Sequence, residues 1–320
     1  MIFKLKPNRV RRTYKGGVNI DKFENEQFLF CGMEYYPEDW TASITRANNF
    51  PLFENEGIGI TEDGKYLTEI ISGNFPILVK LLDSAERLVI QAHPTVEFAQ
   101  KYLGSNFGKT ECWYFLDCSD DACVYLGFKE GISFLEWERA FDEQNSEKML
   151  GMLHKISVKN GDFIFVDGGI PHAIGAGCFM IELQEPTDYM VVAEKRTPSG
   201  RKIPENKIDM GLGRKCMFEL FDYSGFSYSE IMQRFAPKPR EVAPKIYEIL
   251  GKSLTDKFSM YRLTLQGKFV PGKRYVIAVV CGGEGMLCGV WVKRGDRLLI
   301  DDEQTITFYG NRLFEVIVCF

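Results

Sequence analysis

The chain has only three histidines in 320 residues, and none of its nine cysteines stands in a Cys-x-x-Cys pair. Missing that spacing excludes thiolate zinc sites and thioredoxin-like redox motifs. Scattered thiols fit a reduced, cytoplasmic protein better than a disulfide frame. A basic excess is also absent: 39 Lys and Arg against 44 Asp and Glu leave a net charge of −5. That balance offers no footprint for nucleic acid. The cluster Arg9-Val10-Arg11-Arg12 is short and reads as a solvated turn. No apolar run approaches the roughly 20 residues that cross a bilayer. The longest, 275–281, is far shorter, and the N-terminal Met1-Ile2-Phe3-Lys4-Leu5-Lys6-Pro7 has no signal-peptide h-region. A soluble cytoplasmic protein without nucleic-acid or membrane partners is expected.

What is present is ordinary globular composition, 45% hydrophobic and 26% charged, with enough chain for one or two domains. Residues 1–60 read as turn-rich, with short strands at 28–32 and 40–43. Further apolar strands are predicted at 75–80, 87–92, 111–117 and 124–128. Thr95 caps a short helix over 95–103. Ser133-Phe134-Leu135-Glu136 is a capping-box pattern opening a helix over 134–143, and a second helix follows over 147–154. These two form a small helical insertion near 133–154. Strands resume at 156–158, 163–166 and 179–184, a polar loop fills 197–213, and 227–235 reads as a helix. Prolines at 237, 239 and 244 suggest a linker. Short strands with glycine turns occupy the rest of the chain. Gly161-Asp162 with Asp167 echoes Gly295-Asp296 with Asp301, each bracketing a four-residue strand. This weak repeat in a β-rich chain predicts two jelly-roll barrels, 1–236 and 237–320, in an all-β-dominated fold. In the second copy Ile306 stands where the first has His172.

The chemistry concentrates in Leu88-Val89-Ile90-Gln91-Ala92-His93-Pro94. In a strand, Val89, Gln91 and His93 share one face while Leu88, Ile90 and Ala92 face the other way. Burying Gln or His without a partner is costly, so this face needs a compensating group. Gln91, His93, Glu111 and His172 supply one amide oxygen, two imidazoles and one carboxylate. Two His and a carboxylate with an open position make a catalytic zinc arrangement, and the same ligands suit non-haem Fe(II). His154 has no motif around it and reads as a surface residue in the inserted helix. Gly282-Gly283-Glu284-Gly285 follows a strand without opening a helix, so it reads as a turn and not a nucleotide loop.

The motifs Phe75-Pro76-Ile77-Leu78-Val79-Lys80, Gln91-Ala92-His93-Pro94, Gly108-Lys109-Thr110-Glu111-Cys112-Trp113, Gly161 through Gly175, and Ile181-Glu182-Leu183-Gln184 occur in order. Together they resemble the type I phosphomannose isomerase family of the cupin superfamily, over most of the chain. The resemblance implies a two-cupin fold and one Zn²⁺ per chain on Gln91, His93, Glu111 and His172. It implies interconversion of mannose 6-phosphate and fructose 6-phosphate through a cis-enediol. It further implies that Lys80 and Lys109 bind sugar oxygens or phosphate, and that Lys109, Glu182 and Arg196 are catalytic. A monomer or homodimer acting on a small sugar phosphate is expected. Two positions depart from the family pattern. Val89 stands where the family has a phosphate-binding Ser, and Asp188-Tyr189-Met190-Val191-Val192 lacks the family's Thr-Tyr-Arg. These departures favour, as alternatives, an isomerase of a different sugar or a non-catalytic sugar-binding cupin. An Fe(II) cupin dioxygenase is a third reading from the ligand set.

Overall fold

The computed structural model describes residues 1–24, 34–49, 51–73, 75–301 and 305–320. The strand expected at 28–32 lies outside the described residues. Four antiparallel sheets form the body, with few helices. A six-stranded sheet runs Arg9–Val10, Glu38–Ala42, Leu78–Ser84, Cys178–Gln184, Glu111–Cys118, Phe163–Val166. A five-stranded sheet runs Val191–Val192, Gln91–Ala92, His172–Ile174, Cys123–Phe128, Leu153–Ser157. The C-terminal half supplies a seven-stranded sheet and a four-stranded one, and Ile2–Lys4 forms the edge strand of the seven-stranded sheet beside Arg297–Ile300.

Burial explains why the central strands read as unbroken apolar runs. Every residue of Leu78–Ser84 and Cys178–Gln184 is buried, because that sheet is covered on both faces. One face meets the five-stranded sheet, and Trp113 packs edge-on to His172 at 5.5 Å. Cys112, Leu183, Ile277, Ile317 and Cys319 belong to the same apolar cluster, which runs on into the seven-stranded sheet. Sheets covered on both faces lose the alternation that marks a half-exposed strand. The polar residues within these strands therefore stand out as buried exceptions.

The helix Phe134–Glu143 forms as expected, with Ser133 and Glu136 closing a reciprocal capping box. Its apolar stripe of Trp137, Ala140 and Phe141 packs with Ile90, Ala92, Phe128 and Val191. Helix Val96–Leu103 starts on Thr95, and Tyr228–Phe235 on Ser227. The second inserted helix is shorter than expected, Ser146–Gly151, and strand Leu153–Ser157 follows at once. His154 is thus in a strand and only 6% exposed, not on the surface. Its Nε2 donates to the Phe226 carbonyl at 2.7 Å, the partner a buried ring nitrogen needs. The stretch 87–90 is not strand, since its main-chain and side-chain groups serve neighbours across the fold; Ile90 N–H donates to Glu194. Arg9 and Arg12 are not solvated either. Their side chains are 4% and 11% exposed and pair with Asp21 and Asp188. The eight described cysteines are all free thiols. No described helix is long and apolar enough to cross a membrane.

Three segments interlock around Pro94. Lys109 N–H donates to the Pro94 carbonyl at 2.9 Å, and Gly169 N–H to the His93 carbonyl at 2.7 Å. A Cβ on Gly108 would lie 2.5 Å from Pro94 O, and one on Gly168 2.8 Å from Thr95 Cα. Backbone cannot yield as a flexible side chain can. We expect Gly168→Ala to destabilise the fold by about 1–3 kcal/mol, as overpacking does. Thermal unfolding measures this; a wild-type midpoint would show that the turn relaxes freely.

Candidate metal centre and catalytic cavity

Strand pairing builds the centre. His172 lies directly opposite Gln91 in the five-stranded sheet, and Glu111 comes from the facing six-stranded sheet. His93 follows Gln91–Ala92 at the Pro94 turn, so two sheets and one turn converge. His93, Glu111 and His172 are all buried, and their donor atoms lie within 4.8 Å of one another. His93 Nε2 is 3.1 Å from Glu111 Oε2, and His172 Nε2 is 3.4 Å from Glu111 Oε1.

The other ring nitrogens fix how the imidazoles present themselves. His93 Nδ1 is 2.9 Å from the Tyr189 carbonyl, and His172 Nδ1 is 2.9 Å from the Ile170 carbonyl. A carbonyl only accepts, so both Nδ1 atoms carry the proton and both Nε2 lone pairs face inward. That is how outer partners orient metal-binding histidines. Burial, reinforced by Lys109, pushes the His93 pKa down. Burial and the nearby His93 push His172 down to about 3. Both imidazoles are therefore neutral and available as ligands at pH 7. Burial opposes ionisation of Glu111, but Lys109 and His93 outweigh it and hold its carboxyl well below the usual range. Two neutral imidazoles and a carboxylate aimed at one point fit a divalent cation. Gln91 Nε2 lies 3.3 Å from His172 Nε2. Its side-chain oxygen and nitrogen exchange by a simple amide flip, which would bring the oxygen to the same point.

Beside the centre sits a second set of buried charges. Lys80 and Glu182 are cross-strand neighbours, with Lys80 Nζ donating to Glu182 Oε1 at 2.9 Å. Burial pushes the Glu182 pKa up while Lys80 pulls against it. Burial alone would lower Lys80, but Glu182 and Glu38 outweigh it and hold the ammonium above its ordinary range. Glu38 accepts from Tyr14 OH at 2.6 Å and Trp40 Nε1 at 2.7 Å. Burial opposes its ionisation, yet Arg12 and Lys80 keep it well below the usual carboxylate range. Lys109 Nζ reaches Glu111 Oε2 at 2.7 Å and His93 Nε2 at 2.8 Å. Lys80, Lys109, Glu182, Gln91 and Val89 line one cavity.

The structure thus brings together Lys80, Gln91, His93, Lys109, Glu111, His172 and Glu182. Arg196 stands apart: it is exposed and donates to the Gly200 carbonyl at 2.9 Å. Sequence reading missed Arg12, Tyr14, Glu38 and Asp188, which line the same cavity. Arg12 and Asp188 are 176 residues apart, and no local pattern announces such a pair. The one available signal was the polar run at 36–41, with its acids set between aromatic residues.

Two outcomes follow from this geometry. Adding Zn²⁺ to metal-stripped protein should raise its melting temperature, and His172→Ala should abolish that shift; an equal shift in the variant would remove His172 from the ligand set. Acid should destabilise the metal-free protein. The unfolded chain takes up protons at His near pH 6.5, whereas folded His172 resists until about 3. Stability is therefore fullest above pH 6.5 and declines as pH falls towards 3, and the lowered Glu111 acts in the same direction. Urea midpoints across that range check it, and a flat profile contradicts it.

No protein-family model matches the chain. The Bacillus subtilis protein named "Probable mannose-6-phosphate isomerase GmuF" is 31% identical over 225 residues, 67% of this chain and 64% of that protein. Mannose-6-phosphate isomerase ManA of the same organism is 28% identical over 236 residues, 71% of this chain and 69% of its own length. The first match thus spans just under two thirds of its relative. Among solved structures, a mannose 6-phosphate isomerase from Bacillus subtilis superposes with a TM-score of 0.78 at 22% identity, covering 100% of this chain and 99% of that one. The apo form of the Salmonella typhimurium enzyme gives 0.72 at 13% identity, covering 100% and 98%. At those identities the superpositions establish the fold. The chain is thus similar in sequence to mannose-6-phosphate isomerases over about two thirds of its length, and it shares the fold of the solved ones.

Proposed function

We propose that the chain is a metal-dependent aldose–ketose isomerase that interconverts mannose 6-phosphate and fructose 6-phosphate through a cis-enediol. The observation that carries this reading is the convergence of His93, Glu111 and His172 next to the buried Lys80–Glu182 pair. The names of the relatives support it. We assign one Zn²⁺ per chain to Gln91, His93, Glu111 and His172; when bound, it would stabilise the negative charge that develops on the sugar oxygens. Glu182 is the proton carrier: its carboxylate takes the proton from C2 of the aldose and returns it to C1, while the hydroxyl proton passes from O2 to O1. Lys80 holds Glu182 in place and pulls against the upward push of burial on its pKa. Lys109 donates to the sugar oxygens from the metal side. Water is excluded by the apolar wall of Leu82, Leu88, Val89 and Ile174.

The six- and five-stranded sheets make up one cupin barrel in this reading, and the seven- and four-stranded sheets a second, with the boundary near residue 237. The second has no metal, because Ile306 packs in an apolar cluster where the first has His172. The protein would work in the cytoplasm as a monomer or homodimer.

A coupled assay should detect conversion of mannose 6-phosphate, lose it on chelation and regain it with Zn²⁺. Glu182→Gln should lower kcat by on the order of 10² to 10⁴ with metal content unchanged. Metal-loaded protein that converts no mannose 6-phosphate would overturn the assignment, and full kcat in Glu182→Gln would take Glu182 off the proton path.

A further inference from the structure

Three cations line the catalytic cavity, and two are committed to the metal end. Lys109 lies against His93 and Glu111, and Lys80 against Glu182. Arg12 is placed differently. Its Nη1 and Nη2 grip Asp188 in a fork at 3.0 and 2.9 Å, and its guanidinium carbon sits 4.9 Å from the Trp40 ring centroid. Nε is buried and makes no hydrogen bond among the described residues, although Glu38 Oε2 lies 2.9 Å away as an ion-pair partner. A guanidinium has five N–H groups in a fixed plane, and the Asp188 fork uses two. The arginine is held rigidly with donor capacity to spare.

Arg12, Asp188 and Met190 also line a neighbouring cavity, together with Asn48, Asn206 and Lys207. They form the wall that the two cavities share. Lys207 Nζ is presented there by Asn48, donating to its Oδ1 at 2.6 Å. Asp188 is held in turn by Asn48 N–H at 2.8 Å. Beyond its cations the substrate cavity offers an anion only the hydroxyls of Thr13, Tyr14 and Thr197, of which Tyr14 already donates to Glu38 and Thr197 pairs with Ser199; Leu82, Leu88, Val89, Ile174 and Met190 are apolar. Arg196 is exposed and tied to Gly200.

We propose that Arg12 and Lys207 recognise the anionic end of the substrate, a phosphate monoester, where the two cavities meet, with Asp188 as the residue that positions the guanidinium. The identity of the sugar rests on the isomerase reading; the anion site does not. A planar guanidinium suits phosphate because its N–H groups match two phosphate oxygens at once, and Lys207 adds a point charge from the second cavity.

The test titrates inorganic phosphate into the Zn²⁺-loaded chain by calorimetry and measures KM for mannose 6-phosphate. Arg12→Lys keeps the charge but loses the fork, and Lys207→Gln alters a half-buried residue on the short helix Glu205–Ile208. Each should weaken phosphate binding and raise KM by roughly ten- to a hundredfold with metal content unchanged, and Lys207→Gln, which lies outside the Arg12–Glu182 charge line, should change KM more than kcat. A purely structural Arg12 would lower the melting temperature and leave the phosphate affinity of the folded protein alone. Should Arg12→Lys fail to fold, Lys207→Gln alone decides. Equal phosphate affinity in wild type and variant overturns the proposal. Isomerase activity with unchanged KM overturns it too, while leaving the isomerase reading intact. Arg12- and Lys207-dependent phosphate binding without isomerase activity supports the anion site and refutes the isomerase reading.

Discussion

Alternating charge in an otherwise apolar interior governs this molecule. Asp188, Arg12, Glu38, Lys80 and Glu182 form a line of opposite signs, each within 4 Å of the next, and Lys109 with Glu111 repeats the pattern beside it. Leaving any one of them buried without its neighbour would cost several kcal/mol. The sheets are built to keep the line intact. Lys80 and Glu182 are in register across adjacent strands, and Glu111 stands two residues before Trp113, which pairs with Glu182. Burial alone would protonate Glu38, but Arg12 and Lys80 hold its carboxylate charged, and Lys80 is kept charged in return by Glu182 and Glu38. Such a line holds little free energy as stability. It holds a great deal as preset electrostatics, fixed before any ligand enters the cavity.

The centre at His93 is this principle with one partner of a different kind. Its imidazoles are turned inward by carbonyls of Tyr189 and Ile170, so the orientation is set by main chain and not by the ligand. Both carbonyls belong to segments that carry site residues themselves: Tyr189 follows Asp188, and Ile170 precedes His172 by two. Aiming the lone pairs and shaping the cavity are therefore the same structural act. The tight glycines at 108 and 168 serve it by letting three backbones meet at one proline.

Much of this was legible in the sequence where the cause is local. Ser133, Thr95 and Ser227 announce their helices because a cap is satisfied within three residues. The strand Phe163–Val166 was bounded correctly by Gly161 and Asp167. The polar residues of Gln91-Ala92-His93 were recognisable because they interrupt an apolar run. What failed was non-local. His154 looked exposed since nothing nearby in sequence reveals the Phe226 carbonyl that satisfies it. Arg12 looked solvated for the same reason, its partners being Glu38, Trp40 and Asp188. The segment 87–90 looked like strand because its apolar residues serve two different clusters, Leu88 in one and Val89 and Ile90 in the other.

The edge strand Ile2–Lys4 has a bearing on how the cavity comes into being. Its pairing partners are Leu298, Leu299 and Ile300, and Leu5 N–H donates to the Arg297 carbonyl. Only a few residues further on, the same segment delivers Arg12 to Asp188 and Glu38. Contacts so distant along the chain form late and slow folding. The wall of the cavity is thereby tied to the seven-stranded sheet: a shift of strand Arg297–Ile300 has a short covalent route, through residues 5–12, to the guanidinium that grips Asp188.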